Sequence, residues 1–357
     1  MAEYLKFLAG AKALHIIKEK GLRPESVRVI AGAAGGPKFL ILTQLDRAIF
    51  GSWLKNASQL VFLIGSSIAA WRFAAACQKN PLKAIKRLEE AYINQRYESE
   101  VSALDVSLEG ERILNAYLDE DKVREVLAHP FFRMNILAVR SRGIVAREKK
   151  LPLMAGLAAA YLANLVNRRL LGFFLERNLF YDPRDIPPFF DLSGFPVRKI
   201  PLNENNLQKA ILASGSIPLV MTAVTDIPGA AAGVYRDGGL IDYHLDIPFM
   251  KNDRDIVLYP HYIDRIIPGW LDKRLTWRGP SPQNMANVLL VAPSKNFLNR
   301  LPYQKIPDRD DFKTFYQRDQ ERVHYWKTAV GESQRLAEEF LQAVESGEIR
   351  EMVQPMM

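Results

Sequence analysis

One cysteine occurs in 357 residues. A lone thiol, Cys77, cannot close an internal disulfide or build a cysteine-rich metal centre. It follows three alanines, and its expected role is core packing, the usual habit of an unpaired cysteine. Histidine is also scarce. His15, His129, His244, His261 and His324 are the full set, and none stands four residues from another as a helical metal pair would. Neither a metal nor a cofactor is expected. No low-complexity tract, fixed-period repeat or Pro/Gly/Ser-rich linker interrupts the chain. One domain over 1–357 is therefore expected. At 48% apolar and 25% charged, the composition is globular.

A secretory leader is not expected either. Met1-Ala2-Glu3-Tyr4-Leu5-Lys6 has no long apolar core behind a basic start, so the expected compartment is the cytoplasm. Leu151 to Val166 carries no formal charge, but its sixteen residues fall short of the roughly 20 needed to span a bilayer. The ordinary reading is a buried helix. The sharper one is an interfacial helix. The chain's net charge of +8 is concentrated here, with eleven Lys/Arg against five Asp/Glu over 140–199. Lys149, Lys150, Arg168 and Arg169 bracket the segment, and Phe173, Phe174 and Leu175 follow. Such a pattern suits transient contact with an anionic membrane surface. Nucleic acid is not an expected partner, because no recognition motif accompanies the charge. Oligomeric state is not legible.

Short apolar runs, each feeding a helical pattern, predict an α/β fold with a mainly parallel sheet. Strands are expected at Val27–Ala31, Leu60–Ile64, Asn135–Val139, Gly233–Arg236, Asp255–Tyr259 and Val288–Val291. Helices are expected at Lys38–Phe50, Ser67 to about Gln78, Pro81–Arg96, Glu111–Leu127 and Leu207–Leu212. One or two more cover Phe312–Val344. Phe180–Pro196 reads as a loop. Segments around Pro81–Leu127 and Leu151–Arg177 read as helical insertions.

The chemistry is concentrated at three turns. Leu60-Val61-Phe62-Leu63-Ile64 leads into Gly65-Ser66-Ser67-Ile68-Ala69, and an alanine-rich helix follows. Strand, tight turn with serine at its tip, then helix is the pattern of a nucleophile elbow, G-x-S-x-G, here with Ala69 in the last place. A serine hydroxyl needs a base to take its proton and donors for the developing oxyanion. The loop Gly32-Ala33-Ala34-Gly35-Gly36-Pro37, at a strand end, can supply backbone donors from Gly35 and Gly36. It fits neither a P-loop nor a dinucleotide fingerprint, since Pro37 precedes Lys38 and Ala34 stands where a second glycine should be. Asp237, ahead of Gly238-Gly239, is the base candidate.

Together these pieces resemble the patatin-like phospholipase family. Gly35-Gly36-Pro37-Lys38 is similar to its oxyanion motif, Gly65-Ser66-Ser67-Ile68-Ala69 to its nucleophile motif and Asp237-Gly238-Gly239 to its aspartate motif. Ala213-Ser214-Gly215-Ser216-Ile217-Pro218 resembles the small-residue segment upstream of that aspartate. The motif core covers 27–248, leaving strands and charged helices over 249–357. The resemblance implies a three-layer α/β/α fold with helical insertions. It also implies an acyl hydrolase of lipid carboxylic esters with a Ser67–Asp237 dyad and no histidine. Lys38, Gly65, Ala69, Gly238 and Gly239 would support the motifs, Lys38 by shaping the loop or its field. Ala69 and Ala33-Ala34 depart from the family, which usually has glycine and Asp-Gly there.

Three alternatives stay open. One is a catalytically inactive lipid- or membrane-binding protein. Another is acyl transfer to an alcohol rather than water. The last is a Ser-Asp-His hydrolase, for which chain order allows Asp237 with His261 or His324.

Overall fold

A computed structural model of the chain describes residues 3–55, 57–97 and 101–356. The strands are β1 (Leu5–Ala9), β2 (Val27–Gly32), β3 (Val61–Ser66), β4 (Phe132–Ser141), β5 (Leu175–Tyr181) and β6 (Val197–Pro201). The remainder are β7 (Val224–Thr225), β8 (Val234–Asp237), β9 (Ile256–Pro260), β10 (Val288–Pro293) and β11 (Gln354–Pro355). Among the described residues they form one sheet in the order β11-β1-β10-β9-β2-β3-β4-β5-β6, with β8 also on β4 and β7 on β8. The central run β10-β9-β2-β3-β4 is parallel throughout. The chain is thus an α/β fold, a mostly parallel sheet flanked by helices.

The central strands are buried on both faces, which explains why β3 reads as an unbroken apolar run rather than an alternating one. Where β3 ends, β4 continues. The register pairs Ser66 with Leu137, the last β3 contact. The opposite edge of β4 is occupied by β5 from Asn135 to Ser141. β8 therefore takes up the edge that β3 vacates, running antiparallel and pairing Asp237 with Ala138. Two strands approach along one edge of β4 from opposite directions, and their last residues meet. That brings together positions 170 residues apart in sequence.

The expected strands all exist, each within a few residues of its predicted bounds, and so do helices at Ile68–Ala76, Pro81–Ile93 and Leu207–Gly215. Other stretches differ. Lys38–Phe50 is a 3-10 segment, Gly36–Leu42, running into an α-helix at Thr43–Ala48. Glu111–Leu127 is two helices, Ala103–Asn115 and Glu120–Leu127, each with a side-chain N-cap, Ser102 and Asp119. Phe312–Val344 holds helices at Asp311–Thr314, Asp319–Glu332 and Gln334–Ser346. β1, β5, β6, β7 and β11 had no expected counterpart, and Phe180–Pro196 is a loop only after β5 ends at Tyr181.

The largest correction concerns the uncharged segment. It forms a helix, Lys150–Val166, but only Leu153, Gly156, Ala160 and Asn164 are buried. The buried-helix expectation fails because three of the four inward positions, Gly156, Ala160 and Asn164, are small or polar. Leu151, Met154, Leu162 and Val166 face solvent. Asn164 Nδ2 donates to Asp272 Oδ1 on the inward side of this helix. Among the described residues no helix is long and apolar enough to cross a membrane.

Candidate active site

Ser67 follows the last residue of β3 with φ 54° and ψ −131°, a conformation that costs an L-residue about 1–3 kcal/mol. Packing must hold it there. The Ser67 N–H donates to Ser214 Oγ at 2.8 Å, and the Ser214 hydroxyl donates onward to the Leu137 carbonyl at 2.6 Å. One side chain thus ties the elbow to β4.

Ala69 explains how this elbow dispenses with its second glycine. Its methyl group is fully buried. A Cβ on Gly65 would lie 2.7 Å from it and a Cβ on Gly32 only 2.6 Å. Gly32 and Gly65 are register partners on β2 and β3. The methyl sits in the notch that the two glycines leave, so close helix–sheet packing is kept.

The Ser67 hydroxyl donates to Asp237 Oδ2 at 2.8 Å. The other carboxylate oxygen accepts the Gly239 N–H at 2.7 Å, and the Asp237 N–H donates to the Ser216 carbonyl at 2.9 Å. Serine and aspartate are 3% and 6% exposed. Burial pushes the Asp237 carboxyl above its usual range, while Arg309, the Gly239 amide, the Ser67 hydroxyl and Lys273 pull the other way. A buried aspartate with a raised pKa is a stronger base than one in water. Gly238 is required by close approach, since a Cβ there would lie 2.1 Å from the Leu137 oxygen.

The Gly35-Gly36 loop is held from beneath. The Ala34 N–H donates to the Tyr243 carbonyl at 2.9 Å, and the Tyr262 hydroxyl donates to the Ala34 carbonyl at 2.6 Å. Tyr262 lies 2.7 Å from His244 Nε2. The Ile267 N–H donates to His244 Nδ1, so Nε2 carries the ring proton and donates to Tyr262. Gly36 has φ +56°, which favours glycine. Among the described residues, neither glycine amide bonds to another segment. Lys38 Nζ lies 5.1 Å from the Tyr262 ring centre, and burial lowers its pKa. It contacts neither Ser67 nor Asp237 through a hydrogen bond.

Among the described residues no histidine hydrogen-bonds to either member of the pair. His261 is fully buried and packs against His244 and Tyr262, and its Nδ1 accepts the Ile263 N–H. Burial lowers its pKa to about 3, which keeps it neutral. His324 is exposed on the Asp319–Glu332 helix. The triad arrangement expected as an alternative is therefore not formed by either ring.

A cleft beside the pair is lined by Ile217, Pro218, Asp237, Tyr243, Trp270 and Arg309. It has about 10 Å³ open to water centres, room for a single water. Sequence reasoning quoted Ser214 without giving it a role, and it missed Tyr262 and Arg309. No local motif marks the last two, because only the tertiary fold brings them to the loop.

No family model matches the sequence, and no curated protein does. Solved structures similar to the chain include VipD from Legionella pneumophila, at 10% identity and TM-score 0.33 over 66% of this chain and 50% of that one. Human GIVD cytosolic phospholipase A2 is another, at 11% identity and TM-score 0.39 over 95% of this chain and 63% of that one. The chain thus spans about half the length of the first and under two thirds of the second.

Proposed function

We propose that the protein is a serine acyl hydrolase of lipid carboxylic esters, patatin-like in its machinery. The observation that carries this reading is the 2.8 Å hydrogen bond from Ser67, at a left-handed strand–helix turn, to a buried aspartate. Ser67 Oγ attacks the ester carbonyl carbon while its proton passes to Asp237 Oδ2. The carbonyl π electrons move onto oxygen, and the Gly35 and Gly36 amides are the donors proposed for that charge. Collapse expels the alcohol, which takes the proton from Asp237. Water then attacks the acyl–Ser67 ester by the same route, giving the free acid and restoring both side chains.

Lipid is the favoured substrate because of the surface near the cleft. Leu151, Leu162, Val166 and Phe173 are 78%, 62%, 81% and 77% exposed. The helix that carries the first three is fixed through Asn164 to Asp272, which is two residues from Trp270 of the cleft. Lys149, Lys150 and Arg169 flank this apolar face. An apolar stripe between basic clusters matches an anionic bilayer surface, so 140–199 is the proposed membrane contact.

Hydrolysis of short-chain and phospholipid esters tests the catalytic reading. Ser67→Ala and Asp237→Asn should each lose at least about 10³-fold, because members of one catalytic unit fail together. Wild-type activity in Ser67→Ala would reject it.

A further inference from the structure

The proposed reaction places a full negative charge on the carbonyl oxygen, with two neutral amides as its only assigned partners. A third candidate lies outside every motif, 72 residues beyond Asp237 (309 − 237). The Arg309 side chain covers Gly36. Its Nε and Nη2 lie 2.9 and 3.6 Å from where a Gly36 Cβ would stand. The same side chain lines the cleft together with Asp237.

Arg309 has a second property. A guanidinium carries five N–H donors, and among the described residues none of them is used in a hydrogen bond or an ion pair. Among the described residues no neighbouring carboxylate pairs with it. Lys305 bridges Asp308 and Asp311 at 3.0 and 2.8 Å, Trp326 donates to Asp311, and Asp310 is exposed. Those same contacts fix the segment that bears Arg309, with the Asp308 N–H on Asp311 Oδ2 and the Tyr325 hydroxyl on the Lys305 carbonyl. Lys38 and Lys273 add positive field from two other segments, and Lys273 lies 4.2 Å from the Tyr243 ring centre.

We propose that Arg309 is a catalytic residue whose guanidinium joins the Gly35 and Gly36 amides in stabilising the oxyanion. This rests on the hydrolase reading above. A cation with unspent donors, held against an oxyanion glycine, gains most when charge develops there, because its geometry is already set.

The test uses the full chain, a neutral substrate (p-nitrophenyl butyrate) beside a phospholipid and a carboxylate-bearing ester, and the variants Arg309→Ala and Arg309→Lys. Arg309→Ala should lower kcat by about 10²-fold or more, the scale of losing an oxyanion donor, with KM changed by less than about threefold. Guanidine hydrochloride at sub-denaturing concentration should restore part of that rate, and Arg309→Lys should fall between. Three results would overturn the proposal while wild type remains active. The first is an unchanged or raised kcat in Arg309→Ala, as for a side chain that merely blocks the cleft. The second is a loss confined to esters bearing a phosphate or carboxylate, as for a substrate anchor. The third is a loss that guanidine does not relieve and that tracks a lowered melting temperature in both variants. No turnover by wild type of any ester would instead remove the hydrolase reading, and this proposal with it.

Discussion

Replacing Gly65 by alanine probes the packing that holds the elbow. The new Cβ would lie 2.7 Å from the Ala69 Cβ, 3.0 Å from the Ala69 carbonyl carbon and 3.1 Å from the Ala70 nitrogen. Ordinary carbon contacts are about 3.5–4.0 Å, so the nearest overlap is roughly 1 Å, and the others are with helix backbone. Overpacking of this kind costs about 1–3 kcal/mol. Ala69→Gly alone deletes a buried methyl worth about 0.8 kcal/mol and puts glycine in a helix at about another 0.8–1.0 kcal/mol. Combined, the two changes move one methyl across the notch and remove the worst clash. The double variant should therefore be more stable than the additive sum by about 1–2 kcal/mol. Urea unfolding of the four proteins measures this, provided their slopes agree. Additivity within about 0.5 kcal/mol would refute the idea that the Ala69 methyl fills the space left by the glycine.

Three further outcomes are expected. Asp237 has a raised pKa, so its ionised form costs the folded state. That cost is absent where the unfolded carboxyl is still protonated, below about pH 3.9, and complete above the folded pKa. Asp237→Asn should therefore raise the melting temperature at pH 7, with the gain shrinking as pH falls through the carboxylate range. A gain that grows in acid contradicts the assigned shift. Ser214→Ala leaves the Ser67 N–H and the Leu137 carbonyl without their partner, and should cost about 1–3 kcal/mol and slow acylation of Ser67. Unaltered acylation kinetics would show that the elbow holds itself. Lys149→Glu, Lys150→Glu and Arg169→Glu together should abolish sedimentation with anionic vesicles at low salt, leaving hydrolysis of a water-soluble ester intact. Arg168 is kept in that variant because it pairs with Asp272. Undiminished sedimentation would count against the basic brackets.

The elbow and the aspartate turn were legible because each is a local backbone problem. Gly65, Gly238 and Gly36 stand where a Cβ would collide or φ is positive, and small residues in a fixed order betray that. The meeting of β3 and β8 on β4 was not legible, since register is set by pairing across distant parts of the chain. Arg309 and Tyr262 escaped for the same reason: each reaches the site from another segment, and no spacing rule announces it, whereas Ser214 stood in a quoted segment and only its role, set by contacts with Ser67 and Leu137, was hidden. The Lys150–Val166 helix misled in a different way. Hydropathy identified an apolar segment, but its inward face is Leu153, Gly156, Ala160 and Asn164, so most of the large side chains point outward. Ala69 looked like a defect in the motif and is accommodated by Gly32, a residue outside it.

The central claim is that Ser67 is an activated nucleophile with Asp237 as its base, and intact-protein mass measurement after exposure to a fluorophosphonate tests it most directly. Wild type should gain one adduct, Ser67→Ala none, and Asp237→Asn should label at a small fraction of the wild-type rate. An unlabelled wild type, or a Ser67→Ala protein that labels as fast, would contradict it.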